Sequence, residues 1–199
     1  KQFKISKNSF DGLFGFEVNM EDRKLFSTVV YEYLNTMFQS GSLSASRSDS
    51  TYGRDNYFNH YIYQSGWTYK NRMIGNPLFT VGSSSSKDQI YITNNRIKSH
   101  HIGISGYLSS KLRYKILVTK SMNYGTYDDR QKLIKSEKQY QFYNGLDQTS
   151  ALIQFDFIEF LNKVDFQFSY AIDRGNLFKD SNGFQFLINY NFTNLSYSQ

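Results

Sequence analysis

The sequence predicts an all-β fold, an antiparallel up-and-down transmembrane β-barrel of about eight strands with long extracellular loops. Three observations favour it: apolar and polar side chains alternate in several segments, the clearest segments are about ten residues long, and short connections alternate with long ones. A period of two indicates a strand, because successive side chains point to opposite faces of a sheet. About ten residues is also what a tilted strand needs to cross a bilayer.

The clearest alternation lies in residues 164–173 and 184–192. In the second segment one face carries only large apolar side chains: Phe184, Phe186, Ile188, Tyr190 and Phe192. The other face carries Gln185, Asn189 and Asn191, with Leu187 as its one apolar member. Residues 164–173 divide in the same way. We expect faces this rich in aromatic side chains to lie against lipid, with the polar faces toward a lumen.

The same alternation predicts further strands at residues 3–6, 14–20, 97–108, 112–119 and 151–157. Residues 25–38 fit both a strand and a helix, and the β-branched and aromatic run at 28–31 favours a strand. Residues 139–145 can extend a strand above the membrane.

The connections between these segments run short, long, short, long, short and medium: residues 21–24, 39–96, 109–111, 122–148, 159–163 and 174–182. Bacterial barrels show this rhythm, with short periplasmic turns and longer extracellular loops. It places Phe192 and the chain end in the periplasm. We expect one barrel domain, or the C-terminal part of one, over residues 1–199, with the long and mostly irregular residues 39–96 as its extracellular or plug loop region.

Composition agrees with this fold class. Aromatic residues make up 18% of the 199 residues, yet the mean hydropathy is −0.57. Alternating strands explain both values, because the polar face cancels the apolar one in any average. No apolar run approaches the roughly 18 residues of a membrane-spanning helix. The absence of cysteine excludes a disulfide framework, a thiolate metal site and a cysteine nucleophile.

The net charge of +6 suits anionic glycans or lipopolysaccharide phosphates. The charges are spread along the chain, so no nucleic-acid partner is expected. No nucleophile, base and orienting acid occur at a spacing that predicts catalysis, so we expect a non-enzymatic protein without a cofactor. His100 and His101 are adjacent, and adjacent strand residues point to opposite faces, so no metal site is expected there.

One stretch carries a family resemblance. It reads RDNYFNHYIYQSGWTYKNRMIGNPL from Arg54, followed by NNRIKSHHIG from Asn94 and NYGTY from Asn123. These motifs resemble the capsule assembly Wzi family of outer-membrane barrels, in the form found in Bacteroidota. The resemblance implies a larger barrel that attaches or assembles surface polysaccharide, with this chain as its C-terminal half. It covers residues 32–127 by motif and the rest by barrel pattern.

The long loop region has the side chains of a sugar-binding surface. Aromatic side chains offer rigid area with a polar tip, and arginine offers a planar fork for carboxylate or phosphate. Residues 39–97 contain six basic and three acidic side chains. The predicted polysaccharide-binding residues are Arg54, Trp67, Tyr69, Arg72 and Arg96.

Structural roles compete with each of these assignments. Trp67 can be packed inside a loop fold that plugs the barrel mouth, and this interpretation is the favoured one. Arg54 and Asp55 can form an internal ion pair that fixes the loop, and residues 94–96 can simply turn the chain into the next strand. On the lumenal face, Arg113 and Lys115 predict an ion-pair network with Asp156, Asp165 and Asp173.

The leading hypothesis is an outer-membrane barrel that binds or helps to attach capsular polysaccharide or lipopolysaccharide through its long loops, with outer-membrane lipid around it. A second hypothesis makes the chain a structural subunit of a larger outer-membrane protein complex for secretion or transport. A third, a soluble sugar-binding β-sandwich, predicts a protein that stays dispersed without detergent.

Overall fold

The computed structural model describes residues 11–20, 25–39, 57–60, 62–63, 65–83, 90–126, 141–161 and 163–190. All regular elements in these ranges are strands: β1 (Gly12–Asn19), β2 (Thr28–Asn35), β3 (Thr68–Tyr69), β4 (Arg72–Met73), β5 (Thr80–Ser83), β6 (Ile90–Asn94), β7 (Ile97–Ser109), β8 (Leu112–Gly125), β9 (Gln141–Leu161), β10 (Val164–Gly175) and β11 (Ser181–Tyr190). Among the described residues, no helix has the length and apolar character needed to cross a membrane.

Seven strands form the main sheet, in the order β1-β2-β7-β8-β9-β10-β11. Consecutive strands of the chain are therefore neighbours in this sheet, except that β2 is followed by β7. The segment between β2 and β7 contains two small two-stranded sheets, β3-β4 and β5-β6. The pairs β9–β10 and β10–β11 are antiparallel. Over the described residues the sheet is open, with β1 and β11 at its edges.

Most of the predicted strands are confirmed. Residues 28–35 form a strand rather than a helix, and β9 begins at Gln141, within the residues 139–145 that were expected to extend a strand. Within residues 39–96, which were predicted to be mostly irregular, the described part contains four short strands, β3 to β6. The connection predicted at residues 122–148 is shorter than expected, since β8 continues to Gly125. Residues 3–6 and Phe192 lie outside the described residues.

The chain divides into two compact units. The first contains Lys1–Phe14, Tyr33–Ser99 and Ser121–Asp147, and the second contains Gly15–Glu32, His100–Lys120 and Gln148–Gln199. Among the described residues of the first unit, the buried apolar side chains are Phe79, Tyr91, Ile92 and Ile97. The buried amides there are Asn35, Gln39, Asn94, Asn95 and Asn123, so hydrogen bonds contribute to its interior beside apolar packing.

The second unit has its polarity inverted relative to a water-soluble sheet. Gln154, Asp156 and Ser169 are buried on one face. The apolar side chains lie on the other face, where the Phe166 and Phe186 rings stack 5.7 Å apart in the β10–β11 pair. Nine side chains of this face are exposed, namely Ile102, Ile116, Val118, Phe168, Tyr170, Phe184, Phe186, Ile188 and Tyr190, whereas Tyr114 on β8 is buried. Phe184 reaches 81% exposure.

Candidate functional site

Three of the five predicted sugar-binding residues lie at a small hairpin in the first unit. Strands β3 and β4 pair with Thr68 opposite Met73 and Tyr69 opposite Arg72. Lys70 and Asn71 form the two-residue turn, and both have positive φ, 46° and 64°. Two positive φ values are typical of a type I′ turn, whose twist matches that of the two strands.

Three of the predicted residues share one face of this hairpin. Directly opposite residues in an antiparallel pair point the same way, so Tyr69 and Arg72 lie side by side. Trp67 lies two residues before Tyr69 and therefore on the same face; its carbonyl accepts a hydrogen bond from the Ile74 N–H at 2.9 Å. Trp67 is 61% and Tyr69 64% exposed, and Arg72 is exposed as well. We call Trp67, Tyr69 and Arg72 the hairpin platform.

Local packing fixes where the hairpin platform begins. The Trp67 N–H donates to the Phe58 carbonyl at 2.9 Å, and the two rings meet edge to face at 6.2 Å. Phe58 itself packs edge to face on buried Phe79 at 5.3 Å. Gly66, with φ +58°, allows this close approach, because a Cβ there would overlap the Phe58 carbonyl oxygen. One edge of Trp67 is therefore anchored while most of the indole faces solvent.

The hairpin platform is positively charged. Lys70 Nζ lies 5.5 Å from the centre of the Tyr69 ring, a cation–π distance, and Arg72 adds a second cation beside the same ring. The sequence contains no acidic residue between Asp55 and Asp88. This arrangement can stack on the apolar face of a sugar ring and pair with its carboxylate, sulfate or phosphate.

The exposure of Trp67 bears on one of the two alternatives for this residue. The favoured interpretation, that Trp67 is packed inside a plug, is wrong, because the side chain is mostly exposed. The residue that the sequence interpretation missed is Lys70. The sequence feature that could have revealed Lys70 is the Lys-Asn pair between Tyr69 and Arg72. This pair is compatible with a two-residue turn, although it lacks the glycine that such turns usually contain.

The other two predicted residues do not join the hairpin platform. Arg54, with Asp55, lies outside the described residues. Arg96 is half-buried at the start of β7, where its Nε donates to the Met37 carbonyl at 3.5 Å. Its neighbours Asn94 and Asn95 are fully buried and hydrogen-bonded within the chain, as expected for a segment that leads into the next strand.

Buried amides hold the segment that leads to the hairpin. The fully buried Gln39 side chain donates to the Asn95 carbonyl at 2.9 Å and accepts from the Tyr57 N–H at 3.1 Å. Asn95 Nδ2 donates to the Tyr57 carbonyl at 2.8 Å. Both backbone groups of Tyr57 are thereby fixed, directly before the Phe58 contact that anchors Trp67.

On the polar face of the second unit, the predicted ion pairing is confirmed for one pair. Arg113 binds Asp156 Oδ2 through Nη2 at 2.7 Å and through Nε at 2.8 Å. Gln154 and Gln167 each donate to Asp156 Oδ1 at 2.8 Å. The other two acidic residues of the predicted network accept hydrogen bonds elsewhere: Asp165 from the Glu159 N–H, and Asp173 from the Ser150 hydroxyl.

The two adjacent histidines have partners on opposite faces. His100 Nδ1 lies 2.8 Å from the Tyr31 hydroxyl, and His101 Nδ1 lies 2.7 Å from Thr119 Oγ1. In the described part of the chain, no three histidine or acidic side chains cluster as a metal site would require.

Comparisons of the chain with protein-family models, with curated proteins and with solved structures found no match. The resemblance of the loop motifs to a capsule assembly family therefore stays a prediction.

Proposed function

We propose that this chain forms wall strands of an outer-membrane β-barrel and binds an anionic surface polysaccharide, without catalysing a reaction, through the hairpin platform. The observation that carries the proposal is the exposed face shared by Trp67, Tyr69 and Arg72. The loop motifs that resemble the capsule assembly Wzi family support the same ligand class.

The inverted second unit supports the membrane location. Burying a polar face while exposing rows of phenylalanine is unfavourable in water, because the exposed apolar area costs free energy in proportion to its size. In a bilayer the cost disappears, since hydrocarbon tails cover the apolar face and the polar side chains line a hydrated lumen. The up-and-down strand order is the order found in such barrels.

The charge of the hairpin platform supports an acidic polymer. Lys70 and Arg72 flank Tyr69, and the surrounding residues 56–87 carry no carboxylate to neutralise them. Two cations beside exposed aromatic rings favour a uronic acid or a phosphorylated sugar over a neutral one.

Titration of the purified full chain in detergent micelles tests the ligand. The probes are alginate, a polymer of uronic acids, and dextran, a neutral polymer. We expect binding to alginate only. Trp67→Ala should weaken it about tenfold, because the loss of a stacking ring costs about 1 kcal/mol or slightly more. Arg72→Ala should weaken it similarly, with part of the affinity restored by Arg72→Lys.

Ile62→Ala is the matched control, because Ile62 is an exposed apolar residue of the same loop that lies off the hairpin platform. Its affinity should equal that of the wild type. Equal binding of alginate and dextran would contradict the charge argument. If Trp67→Ala and Arg72→Ala both left the affinity for alginate unchanged, the hairpin platform would not be the binding site.

A second candidate function is a structural role in a larger outer-membrane protein complex. It is favoured by β11, an edge strand whose ten residues are all exposed. An exposed edge offers unpaired backbone groups to a strand of another protein. Affinity purification in mild detergent distinguishes the two functions: a stoichiometric protein partner that is lost when Gly183→Pro alters β11 favours this second one.

A further inference from the structure

The apolar face of the second unit ends at a line of polar side chains. In the β9–β10 pair, Thr149 lies opposite Arg174, and the next outward-facing pair is Ala151 opposite Ile172. From that pair to Val164 the outward positions of β10 are apolar or aromatic throughout. The outward side chains therefore change from apolar to polar in one step, between the pair Ala151–Ile172 and the pair Thr149–Arg174.

Side-chain contacts extend the same line across β7 and β8. His101 bonds to Thr119, and a Cβ at Gly103 would touch Leu117, so the two strands run antiparallel with His100 opposite Lys120. Arg113 on β8 likewise bonds to Asp156 on β9. This contact gives the register of the β8–β9 pair, with residue 113 opposite residue 156.

That second contact places Lys120 opposite Thr149. On β2, Tyr31 adjoins the line from its apolar side: a Cβ at Gly103 would also contact Val30, which sets Tyr31 opposite Ile102, and the Tyr31 hydroxyl bonds across to His100. We call this line the boundary row: Tyr31, His100, Lys120, Thr149 and Arg174. On its apolar side, the next outward positions are Ile102, Val118, Ala151 and Ile172.

The side chains of the boundary row suit a membrane interface. Tyr31 and His100 are amphipathic rings joined by a hydrogen bond, with the Phe16 ring 5.7 Å from Tyr31. Lys120 is exposed. Arg174 donates to the Ser181 carbonyl at 2.7 Å, and 47% of its side chain stays exposed. Aromatic rings with polar tips and cations are typical of the headgroup region.

The height of the apolar face agrees with this placement. Val164 and Arg174 lie ten positions apart on β10, about 34 Å along a strand. With the tilt of about 40° found in membrane barrels, that span covers roughly 26 Å along the bilayer normal, close to the apolar band of about 25 Å. The aromatic cluster of Phe157, Phe160 and Phe166 lies at the opposite end of this span.

We infer that the boundary row is a binding site for the phosphate of an anionic lipid headgroup, with Lys120 as its principal cation. The inference rests on the proposed membrane location and adds a lipid class and a fixed depth in the bilayer. Lys120 supplies the charge, His100 and Tyr31 supply hydrogen-bonding groups beside it, and Ile102 and Val118 contact the first methylenes of the acyl chain.

Calorimetric titration of short-chain lipids into the full chain in a nonionic detergent tests the site. We expect dioctanoyl phosphatidylglycerol to bind more tightly than dioctanoyl phosphatidylcholine. Lys120→Ala should weaken the phosphatidylglycerol affinity about fivefold, the effect of one basic residue at an anionic surface. Lys120→Gln, which keeps the length of the side chain, should give the same loss.

Lys115→Ala is the control, since Lys115 lies on the same strand but on the polar face. It should bind as the wild type does, and circular dichroism should show the same strand content in all variants. Equal affinity for the two lipids, or an equal loss in Lys115→Ala, would overturn the inference. So would inorganic phosphate that binds as tightly as phosphatidylglycerol, which would indicate a site for a free ion.

The result also separates this inference from the proposed function. If neither lipid binds, or if both bind equally, the headgroup site is lost. The membrane location is tested separately, by the accessibility of labels on the apolar face to oxygen and to a water-soluble reagent. Alginate binding by the hairpin platform is measured independently in both cases.

Discussion

At the scale of single residues, Asp156 is a buried carboxylate of the second unit that needs hydrogen-bond donors around it. It is 9% exposed, and its two carboxylate oxygens accept hydrogen bonds from Arg113, Gln154 and Gln167. A buried carboxylate is costly unless its oxygens are paired, so these three donors are what makes the position possible. Removing the carboxylate would leave two amides and a guanidinium without their acceptor.

We therefore expect Asp156→Ala to lower the free energy of unfolding by about 2–3 kcal/mol, the cost of unsatisfied buried donors. The figure stays moderate because the Arg113 side chain is 45% exposed and can regain water. Glu159→Gln is the control, since Glu159 and Lys111 form an exposed pair at 4.0 Å that should contribute less than about 1 kcal/mol. Urea titration in micelles measures both; equal losses would contradict the assignment.

At the scale of elements, the turn of the β3–β4 hairpin decides whether the hairpin platform forms. Lys70 and Asn71 occupy the left-handed region, which asparagine tolerates better than most residues and glycine tolerates best. The hairpin is only two residue pairs long, so it has few other contacts to compensate for a poor turn.

Asn71→Val should weaken alginate binding several-fold, because a β-branched residue at positive φ costs about 1–2 kcal/mol and disfavours the hairpin. Asn71→Gly should preserve or improve binding, although it changes the same side chain. The comparison is made by titration in micelles. Similar weakening by both substitutions would mean that the Asn71 side chain itself contacts the polymer, contrary to a role in the turn alone.

The elements also show what a sequence pattern can and cannot reveal. The long strands β7 to β11 were predictable, since each repeats its polarity over many residues. The strands β3 to β6 were missed, because two to five residues are too few to establish a period. Gln39 and Asn95 belong to a polar network that only distant contacts create, and asparagine and glutamine ordinarily indicate turns or surface.

At the scale of the whole molecule, the sequence predicted which face of each long strand is apolar. In the second unit that face is the exposed one. Alternation alone cannot make this distinction, because a soluble sandwich and a membrane barrel share the same period of two. In the structure the polar face is the more buried one: Ser169 is 5% exposed, whereas its neighbours Phe168 and Tyr170 are both 39% exposed.

Nitroxide labels at Phe168→Cys and Ser169→Cys test most directly whether the apolar face contacts hydrocarbon, as we propose. The chain has no cysteine of its own, so each label occupies one known position. The measurement is the relaxation of each label by oxygen and by a water-soluble nickel complex in phosphatidylcholine vesicles. We expect oxygen to relax the label at 168 strongly and the nickel complex to leave it unaffected. At 169 the ratio of the oxygen effect to the nickel effect should be clearly lower. Contact with hydrocarbon would be contradicted if the nickel complex reached the label at 168 as readily as a label at exposed Ile62. It would also be contradicted if both reagents were excluded from 168.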